Sequence, residues 1–172
     1  SLIIPLLEKG LTHIHKTFSL ISAKKAPHSQ VTGFALLISL LVSVTYEHPL
    51  YSSIDIASRC VSTATSFLKA TGDIDAPTSA LQIQVAWRLI SGVMPLGHNF
   101  TKVHLSQLLL LWKNSIPKVF IKDRFTDKST MELCYLYHVK ICALGSIAAF
   151  LANNSKLLTP DVAGRIIQLL QN

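Results

Sequence analysis

Histidine is the residue type in this sequence best suited to hold a metal or move a proton, and the chain contains seven. A metal site needs several donors held together, as in the three or four ligands of zinc. His13 and His15 lie two positions apart, so a helix would point them about 200° from each other. His28, His48 and His98 each adjoin a proline or a glycine. The spacing favours capping or core hydrogen bonds over a metal or catalytic site.

Nucleophiles and carboxylates show no catalytic arrangement in the sequence. No serine lies in a Gly-x-Ser-x-Gly turn, the motif that exposes a nucleophile in hydrolases. The nine acidic residues are scattered, and the pair Asp73 and Asp75 suits a turn. We therefore expect no catalytic residue, no cofactor and no metal.

The three cysteines, Cys60, Cys134 and Cys142, form no Cys-x-x-Cys motif. An odd number without metal-type spacing is typical of reduced thiols in a cytosolic protein. We expect them to be buried and unpaired.

Positive charge is the remaining chemical signal, because 16 Lys and Arg face 9 acids and the net charge is +7. It is densest between residues 113 and 128, where the cations are Lys113, Lys118, Lys122, Arg124 and Lys128. This stretch is either a solvated loop or a contact for an acidic segment of a partner protein. It has no interleaved aromatic residues and no recognition-helix pattern, so nucleic acid is not expected. A basic helical-repeat module that binds nucleic acid or nuclear-transport cargo is the alternative.

Seven prolines divide the chain, and the first six recur at steps of about 22 residues. Proline is tolerated at helix starts and in loops rather than within helices. One helix and one connection per step give a helical hairpin of roughly 40 to 45 residues, the period of HEAT and armadillo arrays. The sequence thus predicts an all-α fold, an α-solenoid of antiparallel hairpins.

Apolar residues at steps of three and four predict about seven helices. The second covers Val31 to Val44, the sixth Thr130 to Ala152, and the seventh begins at Thr159-Pro160-Asp161. Pro95 and Gly97 should end the fourth helix, and a short turn is expected around Val119 to Ile121. The short connection predicts that the fourth and fifth helices form an antiparallel pair, with this core: Trp87, Ile90, Leu105, Leu108, Leu109 and Trp112. The buried stripe predicted for the sixth helix is Tyr137, Ile141, Leu144, Ala148 and Leu151.

Hydrophobic residues make up 49% of the chain and charged residues 15%, against about 25% charged in typical soluble domains. Ala26 to Tyr46 contains no charged residue, but its dense apolar part is shorter than the ~20 residues of a membrane span. We therefore favour a buried helix over an integral membrane protein. Both ends are apolar and the first residue is Ser1, so we expect residues 1–172 to be one HEAT-repeat segment of a longer solenoid.

Three sequence runs resemble one known family. They are Leu81-Gln-Ile-Gln-Val-Ala-Trp87, Met94-Pro-Leu-Gly97 and His104-Leu-Ser-Gln-Leu-Leu-Leu-Leu-Trp-Lys-Asn114. They look like the Laa-type, or HEAT repeat-containing protein 5, family, the large HEAT-repeat proteins that accompany a clathrin adaptor and whose animal members belong to the aftiphilin complex. The resemblance is tight over about forty residues and looser from Gln30 to Leu170.

The resemblance implies a cytosolic scaffold without catalysis that helps place a heterotetrameric clathrin adaptor on trans-Golgi and endosomal membranes. Expected partners are clathrin adaptor subunits and small accessory proteins, and self-association is a further expectation. Membrane association would be peripheral and would depend on those partners. Trp87, Leu111 and Trp112 are interpreted as hairpin core rather than as contacts.

Overall fold

The computed structural model describes residues 3–22, 28–45, 54–70, 76–116 and 129–171, and all regular structure within these ranges is helical. The helices are α1 Ile3–Ser22, α2 His28–Thr45, α3 Ile54–Lys69, α4 Ala76–Val93, α5 His98–Ser115, α6 Thr130–Asn153 and α7 Pro160–Gln171. Two short 3-10 turns, Met94–Leu96 and Ser155–Leu157, follow α4 and α6. The predicted all-α class with about seven helices is confirmed for these residues, whereas the turn predicted at Val119 to Ile121 lies outside them.

Capping side chains set the starts of the last two helices where the sequence predicts them. The Ser129 hydroxyl accepts a hydrogen bond from the backbone N–H of Glu132 and caps α6. The Thr159 hydroxyl accepts from the N–H of Val162 at 3.4 Å, and α7 begins with the proline that follows Thr159. Both predicted bounds of α6 and the predicted start of α7 are therefore confirmed to within a residue or two.

The break between α4 and α5 also occurs at the predicted residues. Pro95 lies in the 3-10 turn, and Gly97 has a φ of 91°, a conformation that favours glycine because a Cβ would be strained there. Gly97 donates its N–H to the Met94 carbonyl, and its own carbonyl accepts from Thr101 in the first turn of α5. The chain is redirected within these few residues.

This redirection contradicts the predicted pairing of α4 with α5. α4 packs along α2, α3 and α6, whereas α5 packs on α6 and α7. The short connection indicated an antiparallel pair, but the 3-10 turn and Gly97 turn α5 away from the axis of α4. α4 is therefore the central helix, and α3 is its partner along the chain.

Two serine hydroxyls of α2 set its register against α4. The single hydroxyl proton of Ser39 is shared between two carbonyl oxygens, that of Ala35 in its own helix at 2.8 Å and that of Arg88 in α4 at 2.9 Å. One turn later Ser43 reaches the Gly92 carbonyl at 3.0 Å. Residue numbers rise together in both helices, so α2 and α4 run parallel.

α4 and α6 are parallel by the same criterion. Near their starts, the hydroxyls of Ser79 and Tyr135 are 2.8 Å apart. At their ends, the amide of Asn154 donates to the Met94 carbonyl at 3.1 Å. Thus α2, α4 and α6 form a row of three parallel helices with α4 in the middle.

α6 buries a different face from the predicted one. Its buried side chains are Ala143, Ser146, Ile147 and Phe150. In the predicted stripe Tyr137 is 49% exposed, Ile141 66% and Leu151 37%, while Ala148 is exposed and Leu144 is half-buried. The prediction was wrong because α6 is apolar on more than one face, so apolar spacing alone does not single out the buried one. The small side chains of Ala143 and Ser146 lie on the face that packs inward.

Candidate functional site

The predicted basic contact is described at one of its five residues. Lys113 lies in the last turn of α5 and is exposed. A cation at this position is favourable, because the free carbonyl groups at a helix end carry partial negative charge. Lys118, Lys122, Arg124 and Lys128 lie outside the described residues.

Lys113 stands at the rim of a groove between α5 and α7 with a volume of about 660 Å³. The floor is apolar, formed by Leu109, Leu110 and Leu169 with Ile116 just after α5. Arg165 lines the α7 side. The structure thus places one predicted contact residue beside a second cation that the sequence analysis did not single out.

Arg165 forms a local ion pair with Asp161 one turn earlier in α7. Its Nε lies 3.1 Å from one carboxylate oxygen and 3.3 Å from the other. Both side chains are largely exposed, so the pair contributes little to stability. Arg165 could have been found from the sequence only by knowing that α7 packs beside α5.

Four of the six predicted core residues are buried: Trp87, Ile90, Leu108 and Trp112. Leu105 and Leu109 are half-buried and pack against that core.

Trp112 anchors α5 to α6 rather than to α4. Its indole N–H donates to the Ser146 hydroxyl at 2.7 Å, and its ring meets Phe150 edge-on with centroids 5.4 Å apart. Aromatic pairs favour this edge-to-face geometry. Trp112 belongs to one of the runs that carry the resemblance, and it is part of the core that joins two helices.

Two histidine rings in the described part of the chain pack against phenylalanine rings. His13 packs against Phe34 with ring centroids 4.4 Å apart, and His104 packs against Phe100 at 4.8 Å. Partial burial holds the pKa of His104 below its usual value, so this imidazole is neutral at pH 7. His48 lies outside the described residues.

In α6, Cys134, His138 and Cys142 recur at steps of four residues, which places them on one face of the helix. The sequence analysis missed this spacing. Cys142 Sγ lies 3.7 Å from His138 Nε2, and that nitrogen is 3.1 Å from the Ala80 carbonyl oxygen. A carbonyl only accepts, so Nε2 carries the proton and cannot serve as a base for the thiol. Burial raises the pKa of Cys142. The contact with His138 therefore does not activate the Cys142 thiol as a nucleophile.

The remaining cysteines differ in exposure. Cys60 is buried in α3, and Cys134 is exposed. The expectation that the thiols are buried is therefore confirmed for Cys60 and wrong for Cys134 and Cys142. Across the described ranges, no cluster of three or more His, Cys, Asp or Glu residues is arranged to hold a metal.

α6 is the one described helix that is long and apolar enough to cross a membrane. Its most apolar window has a mean hydropathy of 1.5, and 22% of that window is buried. The Val31–Val44 stretch of α2 is apolar but shorter than a span. One such helix is weak evidence for a membrane protein.

No family model matches the chain, and no solved structure matches it.

Proposed function

We propose that this chain is an α-solenoid segment of a cytosolic membrane-trafficking scaffold of the Laa-type HEAT-repeat family. In this role it helps recruit or localise a clathrin adaptor at trans-Golgi and endosomal membranes through protein contacts and without catalysis. Stacked hairpins bury a continuous core and leave an extended surface for peptides or helices of partner proteins. Membrane association is peripheral and runs through those partners.

The observation that carries the solenoid is the parallel row of α2, α4 and α6. In helical-repeat arrays each hairpin contacts only its neighbours, so equivalent helices of successive hairpins stack side by side. Five packed helix pairs support this order. α1 packs on α2, α3 on α4 and α5 on α6, while α1 also packs on α3, and α5 on α7.

Contacts within the first hairpin agree with an antiparallel pair. His13 of α1 packs against Phe34 of α2. Three residues earlier, Gly10 lies so close to Ile38 that an added Cβ would be 3.0 Å from the Ile38 side chain. The contacting residue numbers fall along α1 as they rise along α2, so the two helices run in opposite directions, as in a hairpin. In the next hairpin, Gln82 near the start of α4 donates to the Phe67 carbonyl near the end of α3.

The distribution of exposed apolar side chains supports an array with open ends. In the described residues, no large exposed hydrophobic residue lies on α3 or α4, and two lie on α5. The others belong to the first hairpin or to α6 and α7: Leu6, Leu36, Leu37, Leu40, Val44, Met131, Tyr137, Ile141, Leu151, Ile167 and Leu170. Such faces are what neighbouring repeats cover in a solenoid. A segment of a longer solenoid would account both for the covered α3 and α4 and for the exposed apolar faces of the outer helices.

Support for the trafficking role is the resemblance of Leu81 to Asn114, which spans most of α4 and α5. Its tryptophans are buried, so these residues would preserve the array rather than touch a partner. Adaptor subunits and small accessory proteins are accordingly proposed to bind exposed helix surfaces elsewhere on the segment.

A capture experiment with purified heterotetrameric clathrin adaptor tests this role. We expect the immobilised chain to retain the adaptor at physiological salt, and a single-stranded oligonucleotide not to bind. Absence of adaptor binding together with salt-dependent oligonucleotide binding would support the nucleic-acid module instead. A chain that stays in solution only with detergent would favour α6 as a membrane span.

A further inference from the structure

We propose that the groove between α5 and α7 binds a short segment of a partner protein that combines a large apolar side chain with carboxylates. The apolar side chain would lie on the leucine floor, and the carboxylates would pair with Lys113 and Arg165. This assignment rests on the proposed scaffold function and names one of its contact surfaces and the chemistry of the partner.

The floor of the groove is suited to an apolar anchor. Leu109 and Leu169 are half-buried and belong to the layer around the core, so they are held in place. Leu110 is 56% exposed, so it offers apolar surface that a partner side chain can cover. The volume of about 660 Å³ lies within the range of sites that bury most of a small ligand or a few side chains.

The rim of the groove selects for negative charge. Lys113 and Arg165 lie on opposite walls, and none of the described residues that line the groove is acidic. Asp161 is the nearest acid along α7, and its exposed pairing with Arg165 is weak enough for a partner carboxylate to compete. A guanidinium and an ammonium beside leucines complement a mixed acidic and apolar sequence.

The dimensions restrict the partner to a short segment. Ser106 to Lys113 marks the α5 wall, a length of about 10 Å at 1.5 Å per helical residue. This length accommodates roughly two turns of an amphipathic helix, or about three extended residues. The described lining contains no aromatic side chain, so this part of the groove lacks the stacking surface that single-stranded nucleic acid uses.

A display selection tests the proposal. Random short peptides would be selected against the folded chain, and the enriched sequences measured by fluorescence anisotropy. We expect enriched peptides to contain Asp or Glu next to Leu, Ile or Phe. The double variant Lys113→Glu/Arg165→Glu should weaken their binding by at least about tenfold. Leu110→Ser should weaken it without changing the salt dependence.

The matched control is Lys9→Glu/Lys156→Glu, which makes the same charge change at two exposed sites outside the groove. Its affinity should remain within about twofold of the parent. Circular dichroism would verify that each variant is folded.

Three results would overturn the groove assignment: a selection that enriches nothing, enriched peptides without acids, or equal weakening by the control. Direct binding of poly(dT) or of phosphatidylserine vesicles that is tighter than that of every selected peptide, and that is lost in the double variant, would assign the groove to a polyanion instead. Failure of adaptor capture would leave the peptide result unchanged, so the two proposals fail separately.

Discussion

The indole N–H of Trp112 donates to the hydroxyl of Ser146 over 2.7 Å, in a site where both side chains are fully buried. The serine hydroxyl in turn donates to the Ala143 carbonyl at 2.7 Å. α5 and α6 are thereby joined by a satisfied polar contact inside an apolar layer.

Ser146→Ala should lower the free energy of unfolding by about 1–3 kcal/mol, because it leaves the Trp112 N–H buried without a partner. Urea unfolding followed by circular dichroism would measure the loss. Ser91→Ala is the matched control, since the Ser91 hydroxyl bonds only to the Trp87 carbonyl of its own helix. Equal losses in the two variants would contradict the role of the contact.

Gly92 marks the closest approach of α4 to α2. A Cβ added there would lie 2.6 Å from the Ser39 Cβ and 2.7 Å from its Cα. Gly92→Ala should therefore push the helices apart, weaken the serine bonds between them and cost about 1–3 kcal/mol of stability. Thermal and urea unfolding would measure this cost.

Gly33→Ala on α2 provides the opposite expectation. A Cβ at Gly33 meets nothing within 4 Å, so alanine should stabilise the helix by about 0.5–1 kcal/mol. If Gly92→Ala were also stabilising, α2 and α4 would not pack as closely as described.

The three cysteines should react with a thiol reagent in a fixed order. Cys134 is exposed, Cys142 is half-buried with a raised pKa, and Cys60 is buried. A disulfide reagent at pH 8 should modify Cys134 first and Cys60 only on unfolding. Peptide mass mapping would identify the modified cysteine at each time point. Early modification of Cys60 would show that α3 does not pack as described.

Stability should fall as the pH rises above about 9, because burial raises the pKa of Cys60 from 9.0 to about 12, although Arg59 opposes the shift. The unfolded chain loses this proton near pH 9 while the folded chain keeps it, so alkali favours unfolding. The slope is up to about 1.4 kcal/mol per pH unit for one group. Cys60→Ala should unfold with a shallower pH dependence between pH 9 and 10.5. An unchanged slope would contradict the prediction.

Local signals in the sequence predicted much of the fold. Prolines and caps such as Thr159 lie at helix ends because their effects reach only a few residues, so the boundaries of α6 and α7 were readable. Apolar spacing predicted that Ile90 and Trp112 would lie on inward faces, and both are buried. Their partners were not predictable, because partners depend on how each connection turns the chain.

Nonlocal geometry explains the rest. The turn at Gly97 directs α5 to α6, and no local pattern encodes that direction. α6 has several apolar faces, and the one that is buried carries small residues such as Ala143. Arg165 joins Lys113 only after α5 and α7 pack together, so half of the candidate groove could not be predicted from spacing.

A solenoid requires α2, α4 and α6 to lie in a row rather than to close around α4 as a bundle. Spin labels at exposed positions distinguish the two arrangements. Leu40, Arg88 and Ala148 are exposed on these helices at similar heights. Pairs of cysteines introduced there, with the native cysteines replaced, would carry the spin labels. Double electron–electron resonance would then measure the distance between the two labels of each pair. Adjacent axes in packed helices are about 8–10 Å apart, so two spacings separate α2 from α6 by about 16–20 Å.

If the helices form a row, the distance for Leu40→Cys/Ala148→Cys clearly exceeds that for Leu40→Cys/Arg88→Cys, in a narrow distribution. Equal short distances for both pairs would mean that α2 and α6 close around α4 into a bundle, and would contradict the solenoid.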